Sequence, residues 1–325
     1  MWLVGDTSSG SARDLLVLWD VDGTLLSAGG VGAELYSEVF LRLFGSSLEV
    51  VAPMAGRTDR SIILETLTLA GVPEPRRHVD AFIAGLAAQA PSVREAIAAR
   101  GRALPGAADA LAALAGGRVR QTVLTGNIRV LAEVKLTALG LCDALDLCIG
   151  AYGDDHEERA ELVQVARRRA AAVHGPPPGG PGPNGEPGFD GAATVVVGDT
   201  PLDIAAALAA GARPVGVASG GFSAADLRAA GADVVLPDLT ATKLVVKTLL
   251  ARLRRLRGAL AGALAAPIGL PPSVPRPASR YAALRGTAPH PGEHGLSRPV
   301  QPRLASERAT WAAVAQCWRV TSSQS

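Results

Sequence analysis

The chain has 325 residues and a formal net charge of +2, with 48% apolar and 4% aromatic residues. It is long enough to bury a large core and predicts about two domains. Its three cysteines, Cys142, Cys148 and Cys317, are too few and too irregularly spaced for a disulfide framework or a zinc site. Because neither a signal peptide nor an apolar run of about 18 residues is evident, we expect a protein of the reducing cytoplasm with no membrane contact.

The first predicted element is a buried strand over residues 15–19. It is followed directly by Asp20-Val21-Asp22-Gly23-Thr24. Acids at positions i and i+2 point the same way from a strand, and they repel each other unless a cation or a shared proton compensates. A divalent cation with a phosphorylated substrate would do so, with one aspartate as nucleophile and the other as proton donor. The alternative interpretation is an ordinary turn, since Asp and Gly are common turn residues.

Residues 31–103 are predicted to form an all-helical insertion into an α/β body. Helical patterns run over about 33–44, from Thr58-Asp59 to Gly71, and over about 76–99 with a break at Pro91. The insertion leaves the body near Gly29-Gly30 and rejoins it at Leu104-Pro105-Gly106. Glycine and proline at both links are typical of segments that connect two domains.

The pattern after residue 104 alternates between strands and helices. Predicted strands cover about 121–124, 145–150, 193–197, 214–218 and 233–236. Predicted helices precede and separate them, at about 107–114, 128–139, 157–173, 204–210 and 223–230. Strands separated by helices imply right-handed crossovers and a parallel sheet. We therefore predict a Rossmann-like α/β core of residues 14–30 and 104–250.

Two segments fall outside this α/β pattern. Residues 174–191 are rich in Gly and Pro and predict a flexible insertion, and residues 258–325 predict a disordered, basic Ala/Pro/Arg-rich tail. Residues 252–325 carry eleven arginines and two glutamates, a net +9, which leaves −7 for the rest of the chain. Such a tail could contact nucleic acid or an acidic partner. Compositional bias explains the same arginines, which lack interleaved aromatic residues, so nucleic acid is not an expected partner.

Polar residues at several strand ends are expected to meet at one edge of the sheet. Thr125-Gly126-Asn127 follows the second strand, Asp199 and Asp203 follow the fourth, and Arg159 begins the helix after the third. The carboxyl ends of parallel strands share one edge, where ligands bind in open α/β sheets. A hydroxyl and free backbone N–H groups at a helix start form an anion site, although Thr125 could also be a plain N-cap. Three carboxylates gathered there without a cation would be strongly unfavourable.

These segments resemble motifs of the haloacid dehalogenase superfamily. The matching segments are residues 20–24, Thr125-Gly126-Asn127 and Gly198-Asp199-Thr200-Pro201-Leu202-Asp203, in the order and spacing of its motifs I, II and IV. Gly56-Arg57-Thr58-Asp59 and Pro105-Gly106 are similar to the phosphoglycolate phosphatase-like members. The resemblance covers residues 14–250 and implies that the insertion 31–103 is a helical cap domain.

The resemblance also implies a reaction. It implies a Mg²⁺-dependent phosphatase that acts on a small phosphorylated metabolite, a phosphoglycolate-like phosphomonoester, through an aspartyl-phosphate. Asp20 would attack phosphorus, and Asp22 would protonate the leaving oxygen and then activate water, which suits phosphoryl transfer. The implied metal ligands are Asp20, the backbone carbonyl of Asp22, and Asp199, with Asp203 in support. The implied phosphate ligands are Thr125, Gly126 and Asn127.

One motif departs from the family pattern. The third motif of the family has a lysine, whereas the matching position here is Arg159. A guanidinium keeps a permanent charge and could bind phosphate in a bidentate manner. The alternative is a solvated helix residue paired with Glu158 or Glu161.

Within the cap, Arg57 is the residue expected to reach the far end of the substrate. Its alternative is a salt bridge with Asp59 or Glu65. His156, beside two consecutive acids, lacks the spacing of metal ligands and is interpreted as part of a solvated loop.

The sequence leaves two functions from different classes. The first is the Mg²⁺-dependent phosphatase, which closes its cap over a small substrate. The second is a catalytically weak binding or regulatory protein on the same fold, whose basic tail contacts a partner.

Overall fold

The structure, a computed structural model, describes residues 15–174, 189 and 191–251. The predicted Gly/Pro-rich insertion 174–191 therefore lies almost entirely outside the described residues, and the predicted tail 258–325 lies wholly outside them. Among the described helices, each is too short or too polar to cross a lipid bilayer.

Strands and helices alternate through most of the described chain. The strands are β1 Leu15–Trp19, β2 Leu26–Ser27, β3 Arg102–Ala103, β4 Val119–Val123, β5 Thr194–Gly198, β6 Arg213–Val217 and β7 Val234–Leu236. The helices are α1 Val31–Phe44, α2 Asp59–Leu69, α3 Val79–Gln89, α4 Arg94–Arg100, α5 Ala107–Leu114, α6 Arg129–Ala138, α7 Arg159–His174, α8 Pro201–Ala209 and α9 Ala224–Ala229. A further helix, α10, covers residues 242–251.

Five strands form one parallel sheet in the order β4-β1-β5-β6-β7. β1 lies between β4 and β5, with Trp19 paired to Val123 on one side and Val197 on the other. Alternate residues of β1 enter two different apolar clusters, one on each face of the sheet. Both faces are therefore covered, as expected of a parallel sheet. The predicted α/β fold with a Rossmann-like parallel sheet is confirmed.

The helical insertion begins and ends at a short antiparallel pair. β2 and β3 pair Leu26 with Ala103 and Ser27 with Arg102, so one two-residue strand of this pair lies inside the range predicted as all-helical. Helices α1 to α4 lie between them, and a 3₁₀ turn at Ala90–Val93 breaks the third predicted helix at its proline. Their apolar faces form a separate cluster that also takes in Ile128 and Leu131. On the basis of this separate cluster we propose that the helical insertion is a cap domain distinct from the α/β core.

One predicted strand is wrong. Residues 145–150 contain turns and no strand, and the segment contacts β4 through a hydrogen bond of 2.8 Å from the Asp146 N–H to the Gln121 carbonyl and, just beyond it, an isolated bridge between Leu124 and Ala151. Asp146 explains the difference, because its side chain accepts a hydrogen bond of 3.1 Å from the backbone N–H of Cys148. An aspartate that bonds the backbone two residues further on favours a turn over a strand, even in an apolar run.

The exit from the insertion is packed tightly against the core at Gly106. This residue has φ +78°, and a Cβ built on it would lie 2.2 Å from the Leu239 carbonyl. Gly116 has φ +86° and nothing within 4 Å of the same position.

We expect Gly106→Ala to lower the free energy of unfolding more than Gly116→Ala. Both variants carry the left-handed backbone penalty of about 1 kcal/mol, and only the first adds an overpacking cost of about 1–3 kcal/mol. Urea unfolding followed by circular dichroism measures the difference. Equal destabilisation by the two variants would contradict the packing described here.

Candidate active site

Three buried aspartates meet beyond the carboxyl ends of β1 and β5. Asp20 follows β1, Asp199 follows β5, and Asp203 lies in the first turn of α8. Each offers a carboxylate oxygen, and these oxygens all lie within 4.8 Å of one another. A capping box at Thr200 fixes this turn, because the side chains of Thr200 and Asp203 each accept a hydrogen bond from the other residue's backbone N–H. The sheet therefore places acids from two neighbouring strands at one point, as the sequence predicts.

The aspartate cluster is electrostatically unfavourable without a cation. Burial, and then the charge of Asp203, raise the pKa of Asp20 well above its usual value. The same two causes raise the pKa of Asp199 to about 6. Like charges held together out of water favour proton uptake or a bound cation. Hard oxygen ligands of this kind suit Mg²⁺ or another hard divalent ion.

Glycine backbone encloses the Asp199 carboxylate. A Cβ built on Gly220 would lie 1.7 Å from Asp199 Oδ2, and one built on Gly23 would lie 2.3 Å from the same oxygen. On its other side, Thr24 Oγ1 donates a hydrogen bond of 3.0 Å to Asp199 Oδ1. Only backbone without side chains can approach this carboxylate so closely, so the two glycines are part of the site's construction.

Arg159 lies inside the cluster as a buried cation. It begins α7, and its Nη2 lies 2.5 Å from Asp20 Oδ1 and 2.6 Å from Asp203 Oδ1. Burial alone would lower the pKa of this guanidinium, but the charges of Asp203 and Asp20 raise it overall. The solvated helix residue considered for this position is not what the structure contains. Its Nε has no hydrogen-bond partner among the described residues, and a role in phosphate binding stays a prediction.

The loop after β4 carries the predicted phosphate ligands beside Asp22. Thr125 is buried, and its Oγ1 accepts hydrogen bonds from the backbone N–H and the side-chain Nδ2 of Asn127 at 3.2 and 2.8 Å. The same Nδ2 lies 2.6 Å from Asp22 Oδ2. The side chain of Asp22 therefore contacts this loop and is not part of the aspartate cluster, and its backbone carbonyl stays the predicted metal contact.

Lys135 is a site residue that sequence reasoning missed. It lies on α6, it is 5% exposed, and its Nζ donates to Asp22 Oδ2 and to Asn127 Oδ1, both at 2.7 Å. A signal was present in the sequence, because Lys135 falls on the apolar stripe of α6 together with Leu131 and Leu136. A lysine on a buried helix face needs a partner, and at this sheet edge the nearest carboxylates are those of the site.

The predicted cap loop contacts the loop after β4 directly. A Cβ built on Gly126 would lie 1.7 Å from the Arg57 carbonyl oxygen, so only glycine fits at that position. Arg57 lines the cavity, but its guanidinium pairs with Glu65 at 2.5 Å and donates to the carbonyls of Pro53 and Ser61. The salt bridge considered for this residue is therefore present, and contact between Arg57 and a substrate stays a prediction.

A cavity of about 430 Å³ lies between the insertion and the sheet edge. Its ionisable wall residues are Asp20, Asp22, Tyr36, Arg57, Asp59, Arg102, Lys135 and Arg159. His156 is not among them, and its Nδ1 accepts a hydrogen bond from the backbone N–H of Glu158 at 2.9 Å. A volume in this range suits a small-molecule ligand.

A parallel sheet whose carboxyl edge gathers buried aspartates beside a cavity is typical of α/β enzymes, and this aspartate cluster could hold a metal ion. The family model for haloacid dehalogenase-like hydrolases matches residues 17–208, more than half of the chain. The chain belongs to this family of hydrolases.

Solved structures share the fold at low sequence identity. A haloacid dehalogenase-like hydrolase from Bacteroides fragilis is similar over 70% of this chain and 98% of its own, with 20% identity and a TM-score of 0.51. A protein described as a predicted phosphatase from Clostridium acetobutylicum is similar over 73% of this chain and 98% of its own, with 17% identity and a TM-score of 0.50. No curated protein matches the sequence.

We expect Mg²⁺ to stabilise the protein more at pH 7.5 than at pH 5. The pKa of Asp199 rises from 3.8 in the free side chain to about 6 in the folded protein. The folded state therefore binds more protons than the unfolded state, and the metal-free protein loses stability as the pH rises through that interval. Above it, Mg²⁺ binds a carboxylate that no proton occupies, and stabilisation reaches about 2.7 kcal/mol at a hundred times Kd.

Differential scanning fluorimetry with and without Mg²⁺ at the two pH values measures this effect. Asp199→Asn should abolish the Mg²⁺-induced rise in Tm, and Asp109→Asn on the exposed face of α5 should leave it unchanged. An equal rise in Asp199→Asn would place the metal elsewhere.

We expect Arg159→Met to lower the free energy of unfolding by about 3–5 kcal/mol, because it leaves two buried carboxylates without their cation. Arg76→Met is the matched control, since the Arg76 side chain is 74% exposed in its pair with Glu157. An exposed pair of this kind contributes about 0–1 kcal/mol. Equal, small effects in urea unfolding would show that Arg159 is not the buried counter-ion.

Proposed function

We propose that this chain is a Mg²⁺-dependent phosphatase that hydrolyses a small phosphorylated metabolite through an aspartyl-phosphate on Asp20. The observation that carries the proposal is the buried cluster of Asp20, Asp199 and Asp203, whose Asp20 lines a cavity that also reaches Thr125 and Arg159. A nucleophile, an anion-binding loop and a set of hard oxygen ligands are the parts that phosphoryl transfer requires.

The residues present fit a magnesium ion. Asp20 and Asp199 would hold it with side-chain oxygens and Asp22 with its backbone carbonyl, while Asp203 would support the site through Arg159 and the start of α8. When bound, the ion neutralises charge on the nucleophile and on the phosphoryl oxygens.

The reaction follows from the positions of the two aspartates in the 20–24 segment. A carboxylate oxygen of Asp20 attacks phosphorus, and the bond from phosphorus to the ester oxygen breaks. The carboxylic acid of Asp22 gives its proton to that oxygen, so an alcohol leaves. Asp22 then takes a proton from water, and the resulting hydroxide attacks the phosphoryl group, releases inorganic phosphate and restores Asp20. Thr125 and Arg159 hold the phosphoryl oxygens during both steps.

Asp22 favours phosphatase over dehalogenase chemistry. Displacement of a halide releases a stable anion and needs no proton donor, whereas an alkoxide is a poor leaving group and does. Asp22 lines the cavity within hydrogen-bond reach of other site residues. An acid in this position supports the reaction in which a proton must be delivered.

The cavity wall supports a small anionic substrate. The wall carries the cations Arg57, Arg102, Lys135 and Arg159, and a bound Mg²⁺ would offset the charge of the aspartate cluster beside it. A phosphate monoester brings the negative charge that such a wall attracts. We place the enzyme in the cytoplasm, on the sparse cysteines alone. Nothing among the described residues favours the regulatory alternative, and the tail on which it depended lies outside them.

We expect purified protein to hydrolyse 4-nitrophenyl phosphate only when Mg²⁺ is present. Asp20→Asn should lower kcat by at least about 10³-fold, because nucleophilic attack is lost, while Asp109→Asn on the surface should retain activity. Mass spectrometry of acid-quenched turnover should locate a phosphoryl group on the peptide that contains Asp20. Metal-independent turnover, or turnover that survives Asp20→Asn, would overturn the proposal.

A further inference from the structure

Asp22 is held by two donors that both contact the same oxygen. Lys135 Nζ lies 2.7 Å from Asp22 Oδ2, and Asn127 Nδ2 lies 2.6 Å from it. Lys135 also donates to Asn127 Oδ1 at 2.7 Å, which fixes the orientation of that amide. Within the described residues, Asp22 Oδ1 has no hydrogen-bond partner, and Asp22 lines the cavity. One oxygen of the carboxyl group is thus anchored and the other is available.

Lys135, the cation that contacts Asp22, is buried, and an arginine in its place would contact Asp22 and Asn127 in a different geometry. The Lys135 side chain is 6% exposed, against 39% for the side chain of Asp22. A buried ammonium is costly unless it is paired and hydrogen-bonded, so its position is set by Asp22 and Asn127. Lysine is rare in this chain, which has three among its 32 basic residues. The compact ammonium reaches two acceptors that a planar guanidinium would approach in a different geometry.

The two buried cations of the site serve different aspartates. Arg159 contacts Asp20 and Asp203, and Lys135 contacts Asp22. Lys135 lies on α6, whereas Arg159 begins α7, so the two charges come from separate elements. Because Lys135 contacts the proposed acid–base residue and not the proposed nucleophile, we expect its loss to affect proton transfer to the leaving group.

We propose that Lys135 is a positioning residue: its ammonium, together with the Asn127 amide, holds Asp22 Oδ2 so that Oδ1 is the oxygen that delivers the proton to the leaving group. This inference rests on the proposed phosphatase function. Asp22 carries the transferred proton on Oδ1 before the step and is left as a carboxylate after it, while Lys135 keeps its own protons throughout.

A positioning role predicts that the effect of Lys135 depends on the leaving group. Loss of general acid catalysis costs about 10²–10⁴-fold when the leaving oxygen needs a proton, and little when the leaving anion is stable. Phenyl phosphate and 4-nitrophenyl phosphate have nearly the same shape, and the nitro group makes the second leaving group much less basic. A direct contact between Lys135 and the phosphoryl group would instead affect both substrates equally.

The test measures kcat/KM for both substrates with Lys135→Met and with Lys243→Met as the matched control. This ratio covers the steps up to release of the leaving group, so the later attack by water does not enter it. We expect Lys135→Met to lower kcat/KM for phenyl phosphate by about 10–100-fold and for 4-nitrophenyl phosphate by less than about threefold, which is the pattern of impaired general acid catalysis. Lys243 is exposed on α10, and its variant should match the wild type on both substrates.

A double-mutant cycle provides a second readout that a general loss of structure would not reproduce. If Lys135 acts through Asp22, Lys135→Met should cost almost nothing further in an Asp22→Asn background with phenyl phosphate. Additive losses, or equal losses on the two substrates in the single variant, would overturn the positioning role. If Lys135→Met does not fold by circular dichroism, Lys135→Gln, which keeps a donor without the charge, is measured by the same criteria.

The proposed function and this inference fail in different ways. A wild-type protein that hydrolyses neither aryl phosphate would contradict both the proposed function and the role of Lys135. If the wild-type protein hydrolyses both substrates and Lys135→Met lowers kcat/KM equally for the two, only the positioning role of Lys135 is contradicted.

Discussion

The structure depends on the burial of several carboxylates where β1 and β5 end. These two strands are neighbours in a parallel sheet, so the residues that follow them lie side by side. Burial and mutual repulsion raise the pKa of Asp20 and of Asp199, which means that the folded chain holds these charges at a cost. The buried Arg159 contacts Asp20 and Asp203 and offsets part of this electrostatic cost. Gly23 and Gly220 have no side chain, which allows the backbone to lie close to the Asp199 carboxylate. The sheet brings the carboxylates together, and Arg159 offsets part of their charge.

Compensation is distributed so that each aspartate keeps a separate environment. Asp20 lies among other carboxylates with Arg159 beside it, whereas Asp22 lies two residues further on and contacts Lys135 and Asn127. Different surroundings are what the separate roles proposed for these two carboxyl groups require. Both acids follow the end of β1 at Trp19, where the alternation of the strand no longer applies, so Asp20 and Asp22 contact different partners although a continued strand would point them the same way. The proposed nucleophile and the proposed acid–base residue therefore have different partners, although only one residue lies between them.

Sequence patterns predicted the parallel sheet and the convergence of Asp20, Asp199 and Arg159 because both follow from local rules. Apolar runs and helix signals give the elements, and parallel strands share one carboxyl edge. The predicted strand at 145–150 was wrong because a single hydrogen bond from the Cys148 N–H to the Asp146 carboxylate outweighs an apolar pattern. Lys135 escaped notice because its role depends on contacts with residues 8 and 113 positions away, and only tertiary structure brings them together. Spacing along the chain carries no record of such contacts.

A raised pKa alone does not distinguish Asp20 from a structural acid, and the contrast with Asp59 shows what does. Asp59 also lines the cavity, and burial raises its pKa as well. Both of its oxygens are already engaged, however, one by the Tyr36 hydroxyl at 2.6 Å and the other by the backbone N–H of Ile128 at 2.7 Å. Its own N–H donates to the Gly126 carbonyl at 2.7 Å, so it joins the start of α2 to the loop after β4. A buried acid with neutral donors on both oxygens is satisfied and structural, whereas a buried acid among like charges, with a raised pKa at the edge of a cavity, is a candidate for a functional role.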